Sequence, residues 1–238
     1  MKRNFLFSWY HTPRGKLLRD LEVEYLKKSI TVSCQQEVLQ IGGLNWESEF
    51  VDCSLYKSYT ILDAKGMGCP TARHINAKAY ALPIQTESMD MVIVPHLLEF
   101  YTHRFQTMRE IERVLKPEGV LVVLNFNPLS FWVRYQFLLE KKWSDSWRGF
   151  FIYRSRTMDW LKLLNFEVLA TSKFHLDYIS TKQGRSMNGG FSLFYSAYAV
   201  RAIKRRYNII PLTPVKNFAA QLSLVSSMNS VAQKNKHE

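Results

Sequence analysis

Cysteine is scarce in this chain of 238 residues, which holds three. Cys34, Cys53 and Cys69 form no C-x-x-C pair, so the sequence carries neither a disulfide framework nor a zinc-binding pattern, and a reducing cytoplasm suits it. Long apolar runs are missing too. Nothing approaches the roughly 20 apolar residues of a membrane span, because the longest candidate, Phe191 to Ile203, is interrupted by Ser192, Ser196 and Arg201. Lys2 and Arg3 precede Phe5-Leu6-Phe7, but His11, Arg14 and Lys16 follow too soon for a secretory leader. His11, His74, His103, His175 and His237 show no metal-ligand spacing, so no metal site is expected, and no Ser-His-Asp arrangement can be assembled. Gly66-Met67-Gly68-Cys69-Pro70 is a turn and no phosphate cradle, since Pro70 removes a donor and no Lys-Ser/Thr pair follows. Internal repeats are absent, and nothing in the sequence bears on oligomeric state. Acidic residues are outnumbered 20 to 32 by lysine and arginine, leaving a formal charge of +12. That charge suits an anionic partner such as nucleic acid, anionic lipid or an acidic substrate, and equally a solvated basic surface.

What is present is organised around Ala81 to Pro128. Met89-Asp90-Met91-Val92-Ile93-Val94 is the short apolar run of a strand buried on both faces. Leu97, Leu98, Tyr101, Phe105, Met108, Ile111 and Leu115 recur at helical spacing and predict a helix that Pro117 and Gly119 end. Val120 to Leu124 is a second buried strand. Strand, crossover helix and strand give a parallel pair, and in open parallel sheets ligands collect at the carboxyl ends of the strands. His96 and Glu99 after the first strand, and Asn125 and Asn127 after the second, therefore stand where chemistry is expected.

Residues 1–30 read as a helical cap, with Thr12 as N-cap, Pro13 at the first helical position, and Leu17, Leu18, Leu21, Tyr25 and Leu26 as its apolar stripe. Glu37 to Ile41 is a strand that stops at Gly42-Gly43, and Tyr59 to Asp63 is the next. A glycine turn followed about 20 residues later by an acid at a strand end lets backbone amides approach a nucleotide-like ligand while the carboxylate takes ribose hydroxyls. Beyond Pro128 come an apolar run from Phe131 to Leu139 and a basic, aromatic piece holding Trp143, Trp147, Arg148, Tyr153, Arg154 and Arg156. That piece suits stacking on bases, a lid over an apolar acceptor, or a packed helical cap with a charged rim. A short helix over Thr157 to Leu164, a strand over Phe166 to Ala170, a polar connection from Ser172 to Gly190 and a strand over Phe191 to Val200 follow. The domain is expected to run from 1 to 214, divided into the cap, a cofactor-side half over 31–128 and an acceptor-side half over 129–214. A disordered tail is expected over 215–238, which is rich in Ser, Asn, Gln and Lys.

Leu82-Pro83-Ile84 through Met89-Asp90-Met91-Val92, and Arg109-Glu110-Ile111-Glu112-Arg113-Val114-Leu115-Lys116-Pro117-Glu118-Gly119, resemble two sequence blocks of class I S-adenosylmethionine-dependent methyltransferases of the type 11 group, in the same order and separation. A weaker likeness extends through Trp9…Thr12-Pro13-x-Gly15 and Asp159 to Phe166. The resemblance implies an α/β fold, a doubly wound, mostly parallel seven-stranded sheet with its last strand antiparallel. It implies S-adenosylmethionine as cofactor, held by Gly42, Gly43, Asp63, Leu82 and His96, with His96 also beside the acceptor. Four positions depart from the family pattern. Leu44 and Trp46 stand at the later glycines of the loop, Gln40 replaces the acid before it, and Lys78 replaces the acid expected near adenine.

His96 and Glu99 are the candidate catalytic groups, the first because an imidazole titrates near the working range, the second as a carboxylate at the same strand end. The resemblance implies methyl transfer to a small-molecule or lipid-like acceptor. Two other classes stay open: a catalytically degenerate scaffold or binding protein that keeps the fold, and a basic, RNA-binding protein. A nicotinamide oxidoreductase would lack the block from Arg109 to Gly119.

Overall fold

The computed structural model describes residues 4–30, 33–63, 68–130, 151–176 and 195–205, and the side chains from residue 6 onward within them. The run from Phe131 to Leu139, the tryptophans at 143 and 147, most of the polar connection and the tail all lie outside these residues. The chain divides into Met1–Arg206 and Tyr207–Glu238, and everything below concerns the first unit.

Two helices open it, α1 (Asn4–Tyr10) and α2 (Pro13–Ser29). Thr12 caps α2, its hydroxyl accepting from the Gly15 amide at 3.1 Å, with Pro13 in the first turn where a missing N–H costs nothing. The helices cross so closely at Gly15 that an added Cβ would stand 2.0 Å from the Trp9 carbonyl oxygen. Strands β1 (Glu37–Ile41), β2 (Ser58–Leu62), β3 (Arg73–Ile75), β4 (Met89–Pro95), β5 (Leu115–Phe126), β6 (Phe166–His175) and β7 (Tyr195–Lys204) form one sheet in the order β3-β2-β1-β4-β5-β7-β6. The first five are mutually parallel, and β7 runs antiparallel to both β5 and β6. Helices α3 (Arg104–Val114) and α4 (Arg154–Leu163) complete the described elements, with two single 3-10 turns between β1 and β2. This is the class I methyltransferase arrangement, a doubly wound sheet with an N-terminal helical cap.

Two apolar layers sandwich the sheet. Alternate strand residues divide between them: Val38, Ile61, Ile93 and Val122 face the side of α1 and α2, whereas Leu39, Leu62, Val92 and Leu121 face the side of α3 and α4. Burial on both faces explains the apolar runs Met91–Val94 of β4 and Leu121–Leu124 of β5.

Local departures from the sequence expectation have local causes. The helix begins at Arg104, not near Leu97, because Leu97 and Leu98 reach the core from a turn closed by the Phe100 amide on the Leu97 carbonyl (3.0 Å). It ends at Val114, and β5 starts at once: Leu115 pairs with Met89, and an irregularity in the ladder absorbs Pro117 and the positive φ of Glu118. Strand β3 was not anticipated, being only Arg73–Ile75 and mostly exposed. β6 runs on to His175, pairing with β7, although its outer residues are polar.

Candidate active site

Strand register assembles the site. Ile41 pairs with Leu62, Gln40 with Ile93 and Pro95 with Leu124, so Gly42 and Asp63, and His96 and Asn125, follow directly on paired residues at one edge of the sheet. That edge is the carboxyl end of β1, β2, β4 and β5, where parallel sheets take their ligands.

At the first crossing the chain leaves β1 through Gly42, whose φ of 100° is available to glycine without strain. The Gly42 amide still donates to the Leu62 carbonyl (2.8 Å), and the Gly43 amide donates to Asp63 Oδ2 (3.1 Å). The Asp63 carboxylate is therefore turned in toward the glycine turn and is only partly buried. Leu44 and Trp46 are buried beneath the cap, the indole lying edge-on to Tyr10 and to Phe50 with centroids 5.6 Å away in each case. Glu47 turns back onto this loop: its Oε1 accepts from Gln40 Nε2 at 2.8 Å and from the Leu44 amide at 2.5 Å, while Tyr59 donates to Gln40 Oε1 at 2.6 Å. Glu47 Oε2 is buried with no hydrogen-bond partner.

At the second crossing His96 adopts φ 43°, a left-handed backbone uncommon outside glycine, fixed by its amide on the Leu124 carbonyl (2.9 Å). Its imidazole is wholly buried between two wholly buried carboxylates. Nε2 lies 2.8 Å from Glu22 Oε1, and Nδ1 lies 3.6 Å from Glu99 Oε2. Glu22 Oε2 accepts from the Tyr10 hydroxyl (2.8 Å), and Glu99 Oε1 accepts from the Phe126 amide. Phe126 stacks near the imidazole, centroids 4.2 Å apart, and Tyr10 stands edge-on at 6.4 Å. Burial is the largest influence on the imidazole and pushes its pKa down. The two carboxylates, Glu22 foremost, together outweigh it and raise the value to about 9, so His96 is a cation at neutral pH.

Leu82 is buried, its amide donating to Glu110 Oε2 (2.9 Å) and its carbonyl accepting from Arg113 (3.0 Å). Lys78 is exposed, its ammonium 5.7 Å from the Tyr80 ring centroid. Asn125 and Asn127 are buried, Asn125 donating to the Tyr198 hydroxyl (3.2 Å) and Asn127 to the Tyr195 carbonyl (2.9 Å). The sheet edge thus brings together Gly42, Gly43, Asp63, His96 and Glu99. A separate cleft of about 520 Å³ lies between the start of α3 and α4, lined by His103, Arg104, Phe105, Arg156 and Trp160. Among the described residues no group of three or more His, Cys, Asp or Glu side chains is arranged to hold a metal ion, and no helix is long and apolar enough to cross a membrane.

Sequence reasoning missed Tyr10, Glu22 and Glu47. For Glu22 a signal was present: it stands four residues after Leu18 and four before Leu26, an acid inside the buried stripe of α2. An acid at such a position needs a buried partner.

A family model described as "Methyltransferase domain" matches residues 30–123, the span from before β1 into β5. The uncharacterised protein YafS of Escherichia coli is 30% identical over 205 residues, covering 86% of this chain and 82% of that protein. The chain belongs to the class I methyltransferase family. Gly42, Asp63, His96 and Glu99 fall inside the matched span, whereas Tyr10 and Glu22 precede it. This methyltransferase-family chain is also 27% identical over 110 residues to the ubiquinone/menaquinone biosynthesis C-methyltransferase UbiE of Campylobacter jejuni, covering 43% of the one and 47% of the other. An S-adenosylmethionine-dependent methyltransferase structure from Thermotoga maritima shares the fold, with a TM-score of 0.62 at 19% identity over 85% of this chain and 95% of that one.

Proposed function

We propose that this chain transfers a methyl group from S-adenosylmethionine to a small or lipid-like acceptor. The observation that carries the reading is Asp63, a carboxylate delivered by the end of β2 to within 3.1 Å of the Gly43 amide and left partly open. A carboxylate so placed suits a vicinal diol, and the glycine turn beside it, with Gly42 at φ 100°, suits a close backbone approach. The residues present fit the cofactor: Asp63 would take the ribose hydroxyls, Gly42, Gly43 and Leu82 would line the rest, and His96 would border the reacting end. When bound, the sulfonium group supplies an already activated methyl, so no nucleophile of the protein is needed.

What the chain itself contributes is alignment and exclusion of water. Tyr10, Trp46 and Phe126 form an apolar, aromatic surround for the His96 end of the site. Such alignment can contribute about 7–11 kcal/mol at its upper limit. His96, its ring nitrogens facing Glu22 and Glu99, and Glu99 beside it would act by holding the shape of this end of the site around an acceptor. The acceptor class rests on this apolar surround and on the likeness to the Campylobacter relative, a C-methyltransferase of ubiquinone and menaquinone biosynthesis.

Calorimetric titration with S-adenosylmethionine tests the reading. Binding is expected in the wild type, weakened by about 10- to 100-fold in Asp63→Ala, which loses hydrogen bonds to a charged acceptor worth about 1.5–3 kcal/mol each. Absence of heat in the wild type, and no difference in Asp63→Ala, would contradict it. That outcome favours a scaffold that keeps the fold, a reading supported by the Leu44 amide being already bonded to Glu47.

A further inference from the structure

We infer that the cleft between α3 and α4 docks this chain on an anionic phospholipid surface, with Arg104 and Arg156 on lipid phosphates and Phe105 and Leu163 entering the outer acyl layer. The inference is independent of cofactor binding: it concerns a cavity apart from the sheet-edge site and needs none of Gly42, Asp63 or His96.

The cleft of about 520 Å³ is walled by His103, Arg104 and Phe105 from the start of α3 and by Arg156, Trp160 and Leu163 from α4. The three from α4 recur at four- and three-residue spacing, which puts them on one helix face. No carboxylate lines the cleft. The acids of α3 are engaged elsewhere, Glu110 by Arg113 and the Leu82 amide, Glu112 by Lys204 at 3.0 Å. Asp159, the one acid of α4, is outside the lining. Two guanidiniums in one cleft repel, and the effect reaches Arg104, whose pKa is lowered by burial first and by Arg156 second. An anion entering the cleft is attracted by both, and the overall charge of +12 favours its approach.

Apolar exposure selects the kind of anion. Of the five large hydrophobic side chains exposed among the described residues, Leu163 at 72% and Phe105 at 37% line this cleft, and Tyr153 stands at the N-cap of α4. An aliphatic tip beside guanidiniums suits the boundary between headgroups and acyl chains, where apolar burial and attraction to anionic lipid add. A nucleic acid would need ring faces on which to stack its bases. Here Phe105 already has the Trp160 ring at 6.0 Å and the Arg109 guanidinium at 6.0 Å, and the Arg156 guanidinium lies 5.9 Å from the Trp160 ring.

Vesicle sedimentation with the full chain tests this, using phosphatidylcholine alone and phosphatidylcholine mixed with phosphatidylglycerol. The wild type is expected to bind the mixed vesicles, to leave them as salt rises, and not to bind the neutral ones. Arg104→Gln combined with Arg156→Gln should weaken binding about 20- to 30-fold, near fivefold per charge, and Leu163→Ser about tenfold. Leu163→Ser changes an exposed position, so it keeps the test decisive even where circular dichroism shows the arginine pair to be misfolded. Two controls should stay within about threefold: Lys16→Gln combined with Lys27→Gln, which removes the same charge from α2, and Leu169→Ser, which removes an exposed leucine from β6. No binding of the wild type to mixed vesicles, equal losses in the α2 and cleft charge variants, or unaltered affinity in Leu163→Ser overturns the inference. So does binding of a single-stranded oligonucleotide that the arginine variant loses while its vesicle binding is unchanged. Titration of the same protein with S-adenosylmethionine reports on the cofactor site whatever the vesicles show.

Discussion

Between about pH 6 and 9 the group that should weaken this protein most as pH rises is His96. The imidazole has an ordinary value of 6.5 and stands at about 9 in the folded chain, raised by Glu22 and Glu99 against the opposing effect of burial. A group whose folded value is raised binds its proton more tightly when folded, so its contribution is complete below about pH 6.5 and disappears as pH climbs through about 9. Moving from 6.5 to about 9 corresponds to about 3 kcal/mol, at about 1.4 kcal/mol for each pH unit. Because the ring is wholly buried, little of this is lost to solvent screening. Urea denaturation between pH 6 and 9.5 should show the wild type losing roughly that amount, a large share of the few kcal/mol by which domains of this size are stable. His96→Asn should start lower and show no such decline, and Glu22→Gln should show a shallower one, since Glu22 is the stronger of the two carboxylate influences. Exposed groups titrate alike in wild type and variant, so the difference between the two curves isolates the imidazole. Parallel curves for wild type and His96→Asn would refute the reasoning.

Gly15→Ala should destabilise by about 1–3 kcal/mol, because the new Cβ would meet the Trp9 carbonyl at 2.0 Å and the Tyr10 Cα at 2.7 Å, backbone that cannot turn aside; a thermal melt measures the loss, and an unchanged midpoint would show that the two cap helices are not docked so tightly. Arg113→Ala should cost about 1–3 kcal/mol and free the segment it holds through the Leu82 and Ile84 carbonyls (3.0 Å each) and Thr86 Oγ1 (3.1 Å). Hydrogen exchange should then quicken over residues 82–86, and unaltered exchange would place the restraint elsewhere.

Much of the frame was readable in the residues because doubly buried strands and capped helices leave strong local patterns. Met89–Pro95 and the Thr12-Pro13 start of α2 are where their composition puts them, and the sheet order follows from family blocks that span β4 and α3. Helix boundaries were less legible. Leu97 and Leu98 carry helical spacing yet reach the core from a turn, since periodicity reports which side chains are buried and not how the backbone brings them there. The site was half legible. Asp63, Gly42 and His96 lie at strand ends, which spacing can mark. Glu22 reaches His96 from 74 residues away in sequence, and Glu47 bonds Gln40 seven residues earlier; a local pattern can mark Glu22 as buried, but which partner it meets depends on how α2 folds over the sheet.

The claim on which everything else rests is that the turn at Gly42-Gly43 and the carboxylate of Asp63 are the walls of a cofactor site. Amide nuclear magnetic resonance during titration with S-adenosylmethionine tests it most directly, because the Gly43 amide now donates to Asp63 and must sense any ligand entering beside it. Saturable shifts of the Gly42 and Gly43 resonances, accompanied by His96 and lost in Asp63→Ala, are the predicted result. Resonances of Gly42, Gly43 and His96 that stay fixed at millimolar ligand would contradict it.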